Sequence, residues 1–167
     1  FDKIKTELLS KTQTPFDAAR WLKGENGISR ITIEREDATL GSMSLILYSN
    51  QDIGGGISTY EVVHQIAKQR STEDGRDRRF DVTLLINGLP IVQIELKKVT
   101  AKDGVFQAHH QIKKYAEEGL FRNNIFSTLQ LFVISNEQTT RYFANALPKD
   151  MHRKFIFSWR TTNNQKV

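Results

Sequence analysis

The sequence predicts a mixed α/β (α+β) domain, with a central mixed β-sheet flanked by helices. Short apolar runs bounded by Gly, Asn or Ser recur along the chain, as is typical of strands. Between and after them lie segments with apolar residues at helical spacing. The 167 residues are enough for one domain with a buried core. We therefore expect a single domain over 1–167, with its core at about 60–160.

The composition limits the functional classes. The chain has 24 Lys+Arg against 19 Asp+Glu, a net charge of +5 that suits a polyanionic partner such as DNA. It has no cysteine, which excludes disulfides and thiolate metal sites and fits a reducing compartment. No apolar run reaches about 18 residues and no leader opens the chain, so we expect a soluble, cytoplasmic protein without membrane contact. Because the first residue is Phe1, we also expect a fragment of a larger protein.

The predicted elements follow the chain in order. An N-terminal helix covers 2–10, and the clearest helix covers 104–120, after Asp103 as a possible N-cap and with Gly119 as its stop. A further helix is predicted at 136–147, before Pro148. The predicted strands are 29–35, 44–48, 60–66, the two strands of a hairpin at 78–98, 129–135 and 154–159. Segments 51–58 and 71–79 are predicted loops that either contact DNA or are solvated.

The hairpin "RRFDVTLLINGLPIVQIELKK" carries charged residues at its open end. A regular two-residue turn at Asn87-Gly88 would place Asp81 and Glu95 on opposite faces and would mix apolar and polar residues on both. A one-residue slip, through a bulge or a longer loop, places the apolar residues on one face and the polar residues on the other. One face then carries Val82, Leu84, Ile86, Val92, Ile94 and Leu96, and the other carries Asp81, Thr83, Gln93, Glu95 and Lys97. We predict the slipped register, with the apolar face turned inward.

Two carboxylates and an amine on one face predict a phosphodiester hydrolysis site. Asp81 and Glu95 are suitable ligands for Mg²⁺, with the backbone carbonyl of Leu96 as a further ligand. Such a metal acts as a Lewis acid and lowers the pKa of a bound water. Lys97 could orient that water or stabilise the charge that develops on the phosphate. The structural alternative is an edge hairpin with protective charges and an ion pair between Glu95 and Lys97.

The stretch "FDVTLLINGLPIVQIELKK" resembles the D…ExK signature of the PD-(D/E)xK nuclease superfamily. More narrowly, it resembles the N-terminal nuclease domain of the motor (restriction) subunit of type I restriction-modification enzymes. The resemblance covers about 60–135 and implies metal ligands at Asp81 and Glu95 and a catalytic lysine at Lys97. The usual proline before the aspartate is replaced by Phe80.

The same resemblance implies a Gln-xxx-Tyr motif on the following helix, which Gln111 and Tyr115 match. Their i, i+4 spacing puts both on one helical face. Gln107 offers a competing register, because it also lies four residues from Gln111. Many such nucleases use another acid from an early helix, for which Glu7 and Glu25 are candidates that the sequence does not distinguish.

The resemblance also implies the protein's partners: double-stranded DNA and the methylation and specificity subunits of a restriction complex. The chain has no GxxxxGK[ST] motif, so the ATP-driven motor that the resemblance implies would lie outside it. A repair or junction-type nuclease of the same fold and a non-catalytic DNA-binding module remain as alternatives.

Basic residues after the site could contact DNA phosphates. The candidates are Lys98, Lys102, Lys113 and Arg122. Solvated helix faces explain the lysines at 113 and 114 equally well. The adjacent His109 and His110 diverge by about 100° on a helix, a poor geometry for one metal, and we expect both to be ordinary surface residues or residues that face DNA.

Overall fold

The computed structural model describes residues 2–51, 56, 58–68, 78–101 and 103–167. It confirms a mixed α/β architecture, with a two-stranded and a six-stranded sheet and three α-helices in this part of the chain. The helices are α1 (Asp2–Lys11), α2 (Pro15–Lys23) and α3 (Gly104–Glu117). The strands are β1 (Ile28–Glu34), β2 (Ser42–Ser49), β3 (Tyr60–Lys68), β4 (Arg78–Ile86), β5 (Leu89–Leu96), β6 (Leu131–Ser135), β7 (Thr140–Ala144) and β8 (Phe157–Ser158).

The larger sheet has the simple order β3-β4-β5-β6-β7-β8. All neighbours are antiparallel except β5 and β6, which are parallel. A parallel pair needs a crossover, and α3 supplies it between these two strands. The helix therefore packs on one face of the sheet, directly over the end of β5.

The core lies between α3 and the sheet. The helix contributes Ile112 and Tyr115 to this core, and the sheet contributes Phe80, Phe132 and Ile134, all of them buried. The ring of Phe80 lies 5.7 Å from that of Tyr115 between centroids. This packing fixes the height of α3 above the strands and so the position of every polar group that it presents to them.

The N-terminal elements form a separate layer around the antiparallel pair β1–β2. Polar contacts between described residues join this layer to the rest of the fold. The hydroxyls of Thr12 and Ser127 share a buried hydrogen bond, and Asn87 Nδ2 in the hairpin turn donates to the Leu47 carbonyl at 2.6 Å. The predicted helix at 2–10 is confirmed as α1, whereas the sequence did not predict α2.

The helix predicted at 136–147 is wrong, because β7 occupies Thr140–Ala144 and pairs with β6. A turn precedes the strand: Glu137 has φ 71, and the Thr139 N–H donates to Asn136 Oδ1. A helix cannot continue through that turn. The adjacent strand then supplies hydrogen-bond partners for the β-branched and aromatic residues that follow.

The slipped hairpin register is confirmed. Near the turn Ile86 pairs with Leu89, but Thr83 pairs with Gln93, and the shift occurs between Leu84 and Leu85. A bulge therefore separates a regular turn from the slipped ladder.

The expected burial of the two faces is wrong. Thr83, Gln93 and Glu95 have no exposed surface, whereas Leu96 is 51% exposed. The reason is α3, which covers the face that carries the acids and leaves the more apolar face half-exposed.

Candidate active site

Asp81 lies at a break in the pairing of β4. The β3–β4 register includes His64↔Val82 and Ile66↔Phe80 but omits the position between them, where Gln65 has φ 55. At this break the Asp81 carboxylate turns toward β5 and accepts the Leu96 N–H at 2.8 Å. The aspartate is therefore held against the backbone of the strand that carries Glu95.

Glu95 is fully buried beside Asp81. Burial, followed by the Asp81 charge, raises the pKa of the Glu95 carboxyl to about 8, whereas Lys97 opposes the shift. Its Oε2 accepts a hydrogen bond from Gln111 Nε2 at 2.9 Å. Its Oε1 has no hydrogen-bond donor in the described part of the chain. A buried carboxylate oxygen without a donor, next to a second carboxylate, fits a cation ligand.

Gln111 joins the other site residues. Its Oε1 accepts from Lys97 Nζ at 2.7 Å, and its Nε2 donates to Glu95 and also to Tyr115 Oη at 2.7 Å. The amide thus holds the lysine, the glutamate and the tyrosine in one network. Gln107, the other glutamine at helical spacing from Gln111, is exposed on α3 and lines a cleft with Phe106.

Lys97 follows the end of β5 and continues its ladder. Its N–H donates to the Ser135 carbonyl at 2.9 Å, so its main chain is fixed to β6. Since Glu95 and Lys97 are two residues apart, both side chains project to the α3 side of the sheet. The ion pair considered as a structural alternative does not form, because Lys97 Nζ bonds the Gln111 amide and the salt bridges among the described residues involve other groups.

Tyr115 closes the inner end of the site. It is 5% exposed, and burial together with the Glu95 charge raises the pKa of its phenol. The Arg78 guanidinium lies over its ring, 5.4 Å from the centroid, and also binds the Glu118 carboxylate through two hydrogen bonds. The start of β4 is thereby fastened to the end of α3. Sequence reasoning missed Arg78 and Glu118, because no spacing rule relates residues 40 positions apart.

The two carboxylates are the acids that the site provides. No group of three or more His, Asp or Glu that could hold a metal occurs in the described ranges. Of the early candidates, Glu7 pairs with Lys11 at 3.3 Å and Glu25 is exposed. Mg²⁺ commonly uses one or two carboxylates and completes its shell with water and substrate phosphate. The pair therefore fits Mg²⁺ without a third acid.

The predicted DNA contacts that the structure describes lie on different elements. Lys98 is exposed immediately after Lys97, and Arg122 is exposed beyond the end of α3. Lys113 is two residues past Gln111, about 200° around the helix, and therefore on the other side of α3. Lys102 lies outside the described residues.

The expectation that both histidines are exposed is wrong for His109. His109 is buried against Phe143, with 5.0 Å between ring centroids. His110 is exposed, as expected. Of the two predicted loops, 52–55, 57 and 71–77 lie outside the described residues.

Comparison with known proteins identifies the family. Residues 23–150 match the family described as the type I restriction enzyme R protein N terminus. The chain belongs to this family. Its sequence is 43% identical over 105 residues to the endonuclease subunit of the type I restriction enzyme EcoprrI from Escherichia coli. It is also 37% identical over 103 residues to a type I restriction enzyme endonuclease subunit from Staphylococcus aureus (strain COL).

Each match covers 62% of this chain, but it covers 33% of the E. coli subunit and 10% of the S. aureus subunit. The chain thus corresponds to a small part of the R subunits that it resembles. Its family match includes the whole of β4, β5 and α3 and so every residue of the site. No helix in the described part of the chain has the length and apolar character needed to cross a membrane.

Proposed function

We propose that this chain is the metal-dependent endonuclease domain of a type I restriction enzyme R subunit and hydrolyses DNA phosphodiester bonds. The observation that carries the proposal is the convergence of Asp81, Glu95, Lys97 and Gln111 in one network. Among the described residues no donor reaches Oε1 of Glu95, and Lys97 Nζ is held 2.7 Å from Gln111 Oε1. Neither feature has a purpose in an edge hairpin that only needs protective charges.

In this proposal Asp81 and Glu95 hold Mg²⁺, together with the Leu96 carbonyl. The metal would supply Lewis acidity and a bound water of lowered pKa. Lys97, held by Gln111, orients the attacking water and stabilises the negative charge that grows on the phosphate oxygens. The water loses a proton to solvent as it attacks phosphorus, the bond to the leaving sugar oxygen breaks, and that oxygen takes up a proton from solvent.

Gln111 and Tyr115 orient the site. The Gln111 amide fixes Lys97 and one oxygen of Glu95, and the Tyr115 hydroxyl fixes the amide in turn. Because an amide side chain donates from nitrogen and accepts at oxygen, these three bonds define which way Gln111 points. Preorganised groups of this kind stabilise charge without rearranging during the reaction.

The family match supports a wider assignment. We propose that the chain acts within a longer, cytoplasmic R subunit, whose ATP-driven motor lies outside these residues. Its partners would be double-stranded DNA and the methylation and specificity subunits of the complex. A repair or junction-type nuclease would share the acids and the lysine, but the family match favours the restriction enzyme.

Plasmid cleavage tests this proposal. In the full-length subunit with its partner subunits, ATP and Mg²⁺, we expect Asp81→Ala, Glu95→Ala and Lys97→Ala each to lose cleavage by at least about a hundredfold. DNA binding should persist in all three, because these residues act on the reacting phosphate. The matched controls are Glu61→Ala on β3 and Lys5→Ala on α1, both exposed residues. Undiminished cleavage by the three site variants would refute the assignment.

A further inference from the structure

The start of α3 lies against Lys97, the residue that follows β5. Two backbone hydrogen bonds precede the helix: the Ala101 N–H donates to the Lys98 carbonyl at 3.0 Å, and the Gly104 N–H donates to the Ala101 carbonyl at 3.0 Å. The first residue of α3 is buried against Lys97.

Gly104 leaves room for the Lys97 stem. A β-carbon at this position would lie 3.3 Å from Lys97 Cβ, 3.8 Å from Lys97 Cγ and 3.3 Å from Ala101 Cβ. Contacts of 3.3 Å between aliphatic carbons are closer than the usual optimum of about 3.5–4.0 Å. Gly104 is not among the glycines with positive φ, so its backbone does not require glycine. Glycine is required here by the narrow space above the Lys97 side chain.

The lysine cannot easily move away from such a contact. Its main chain is bound to β6 through the Ser135 carbonyl, which fixes the position of Cβ. Its Nζ is bound to Gln111 Oε1 on the same helix, two turns after Gly104. A methyl group at position 104 would therefore tilt the stem or lift the start of α3, and either change lengthens the Lys97–Gln111 bond.

We infer that Gly104 is a positioning residue for Lys97: its missing side chain lets α3 start directly on the lysine stem and sets Nζ at the Gln111 amide. The inference rests on the proposed nuclease function of the same site. It also explains why the helix begins with a residue of poor helix propensity.

The first test is Gly104→Ala in the full-length subunit. We expect kcat for plasmid cleavage to fall about tenfold to a hundredfold, with KM for DNA unchanged, because a small displacement of a catalytic group is costly. The melting temperature should stay within about 3 °C of the parent, since alanine is the better helix former. A purely structural role would lower stability and leave the kcat of the folded protein intact.

A rescue variant separates the lysine contact from a general effect on the helix. Ala101→Gly removes the other methyl group that the new side chain would meet. In the double variant Gly104→Ala/Ala101→Gly, the new methyl can shift toward position 101 and away from Lys97. We expect most of the lost kcat to return, whereas Ala101→Gly alone should cleave like the parent. Unrestored cleavage in the double variant would contradict the inference.

A spectroscopic test does not depend on cleavage. In ¹H–¹⁵N spectra of the 167-residue chain, the Gln111 side-chain amide signals report its bonds to Lys97, Glu95 and Tyr115. We expect Gly104→Ala to shift them in the same direction as Lys97→Ala, and the double variant to restore them. Unshifted signals in Gly104→Ala would overturn the inference. If the spectra respond but the parent subunit does not cleave DNA, the proposed function fails and the positioning contact stands.

Discussion

At the scale of single residues, the buried Glu95 carries a large electrostatic cost when it is charged. It has no exposed surface, and burial followed by the Asp81 charge raises the pKa of its carboxyl from 4.5 to about 8. In the unfolded chain the same carboxyl has its ordinary pKa. Between about pH 4.5 and 8 the folded protein therefore binds more protons at this position than the unfolded chain. Stability contributed by this group falls as the pH rises through that window and stays constant above it.

Replacing Glu95 by Gln should stabilise the metal-free protein. We expect Glu95→Gln to raise the free energy of unfolding by about 3–5 kcal/mol at pH 8, because each pKa unit corresponds to about 1.4 kcal/mol. The gain should shrink steadily as the pH falls and should vanish near pH 4.5. Urea unfolding in EDTA at pH 5, 6.5 and 8 measures it, and the same variant should lose cleavage. Stabilisation at the cost of activity is common for strained functional sites.

The exposed Glu61 on β3 provides the control for that experiment. Its replacement by Gln leaves a solvated position unchanged in burial, so parent and variant should have parallel stability curves. The same parallel curves for Glu95→Gln would mean that the Glu95 carboxylate is charged at neutral pH without a metal.

The residues of the candidate site were predictable from the sequence in two ways. The parity of two strands brings Asp81, Glu95 and Lys97 to one face, and the resemblance to a nuclease family singles out Gln111 and Tyr115. The choice between Gln107 and Gln111 needed the structure, because both spacings are helical. Gly104 gave no signal at all, because its role is the absence of a side chain next to Lys97.

At the scale of elements, the hairpin was predictable in register but not in orientation. Counting residues across Asn87-Gly88 identifies the register that places polar and apolar residues on opposite faces. The bulge near Leu85 produces this register. Which face of the hairpin is buried depends on the side of the sheet on which α3 packs. No sequence pattern inside the hairpin predicts that side. Similarly, the sequence of β7 alone does not distinguish a strand from a helix. The strand forms because β6 lies beside it and pairs with it.

The buried polar pair of the hairpin should contribute to stability. Thr83 Oγ1 donates to Gln93 Oε1 at 2.7 Å, and neither residue is exposed. We expect Thr83→Val to cost about 1–3 kcal/mol in the free energy of unfolding, because the Gln93 carbonyl oxygen would remain buried without its donor. The double variant Thr83→Val/Gln93→Met should cost less than the sum of the single changes.

Urea unfolding of the four proteins in this double-mutant cycle provides the measurement. Thr32→Val on β1 is the matched control. Thr32 is exposed, so the removal of its hydroxyl leaves no buried hydrogen-bonding group unpaired. Additive costs in the cycle would mean that the two side chains contribute independently and that the bond between them is not important.

At the scale of the whole molecule, the chain has a net charge of +5, and two of its exposed or partly exposed lysines flank the candidate site in different directions. Lys98 follows the site on one side, and Lys113 lies about 200° around the helix from Gln111. Under the proposed function, a duplex whose phosphate reaches Lys97 passes close to the main chain of Lys98, whereas Lys113 would contact it only if the DNA also wrapped around α3. Charge composition predicts a polyanionic partner, but the path that such a partner would take depends on how the helix lies on the sheet.

The salt dependence of DNA binding distinguishes these paths. Each lost phosphate contact should reduce the slope of log affinity against log salt by about 0.9 for duplex DNA. We expect Lys98→Ala to reduce the slope by about that amount, and Lys113→Ala and Arg122→Ala to have smaller effects. Fluorescence anisotropy with a labelled duplex between 50 and 200 mM salt, roughly the range over which such affinities change most visibly, measures it.

Lys11→Ala is the control for this titration, because Lys11 lies on α1 and pairs with Glu7. For Lys11→Ala, the slope of log affinity against log salt should equal that of the parent. A larger loss for Lys113→Ala than for Lys98→Ala would place the duplex across the far side of α3, where no phosphate could reach Lys97 without a bend. A bend of that size costs several kcal/mol by elastic estimates, on the order of 1–6 kcal/mol for a 20–30 bp site. The direct path along β5 avoids this cost, which is why the smaller effect is expected at Lys113.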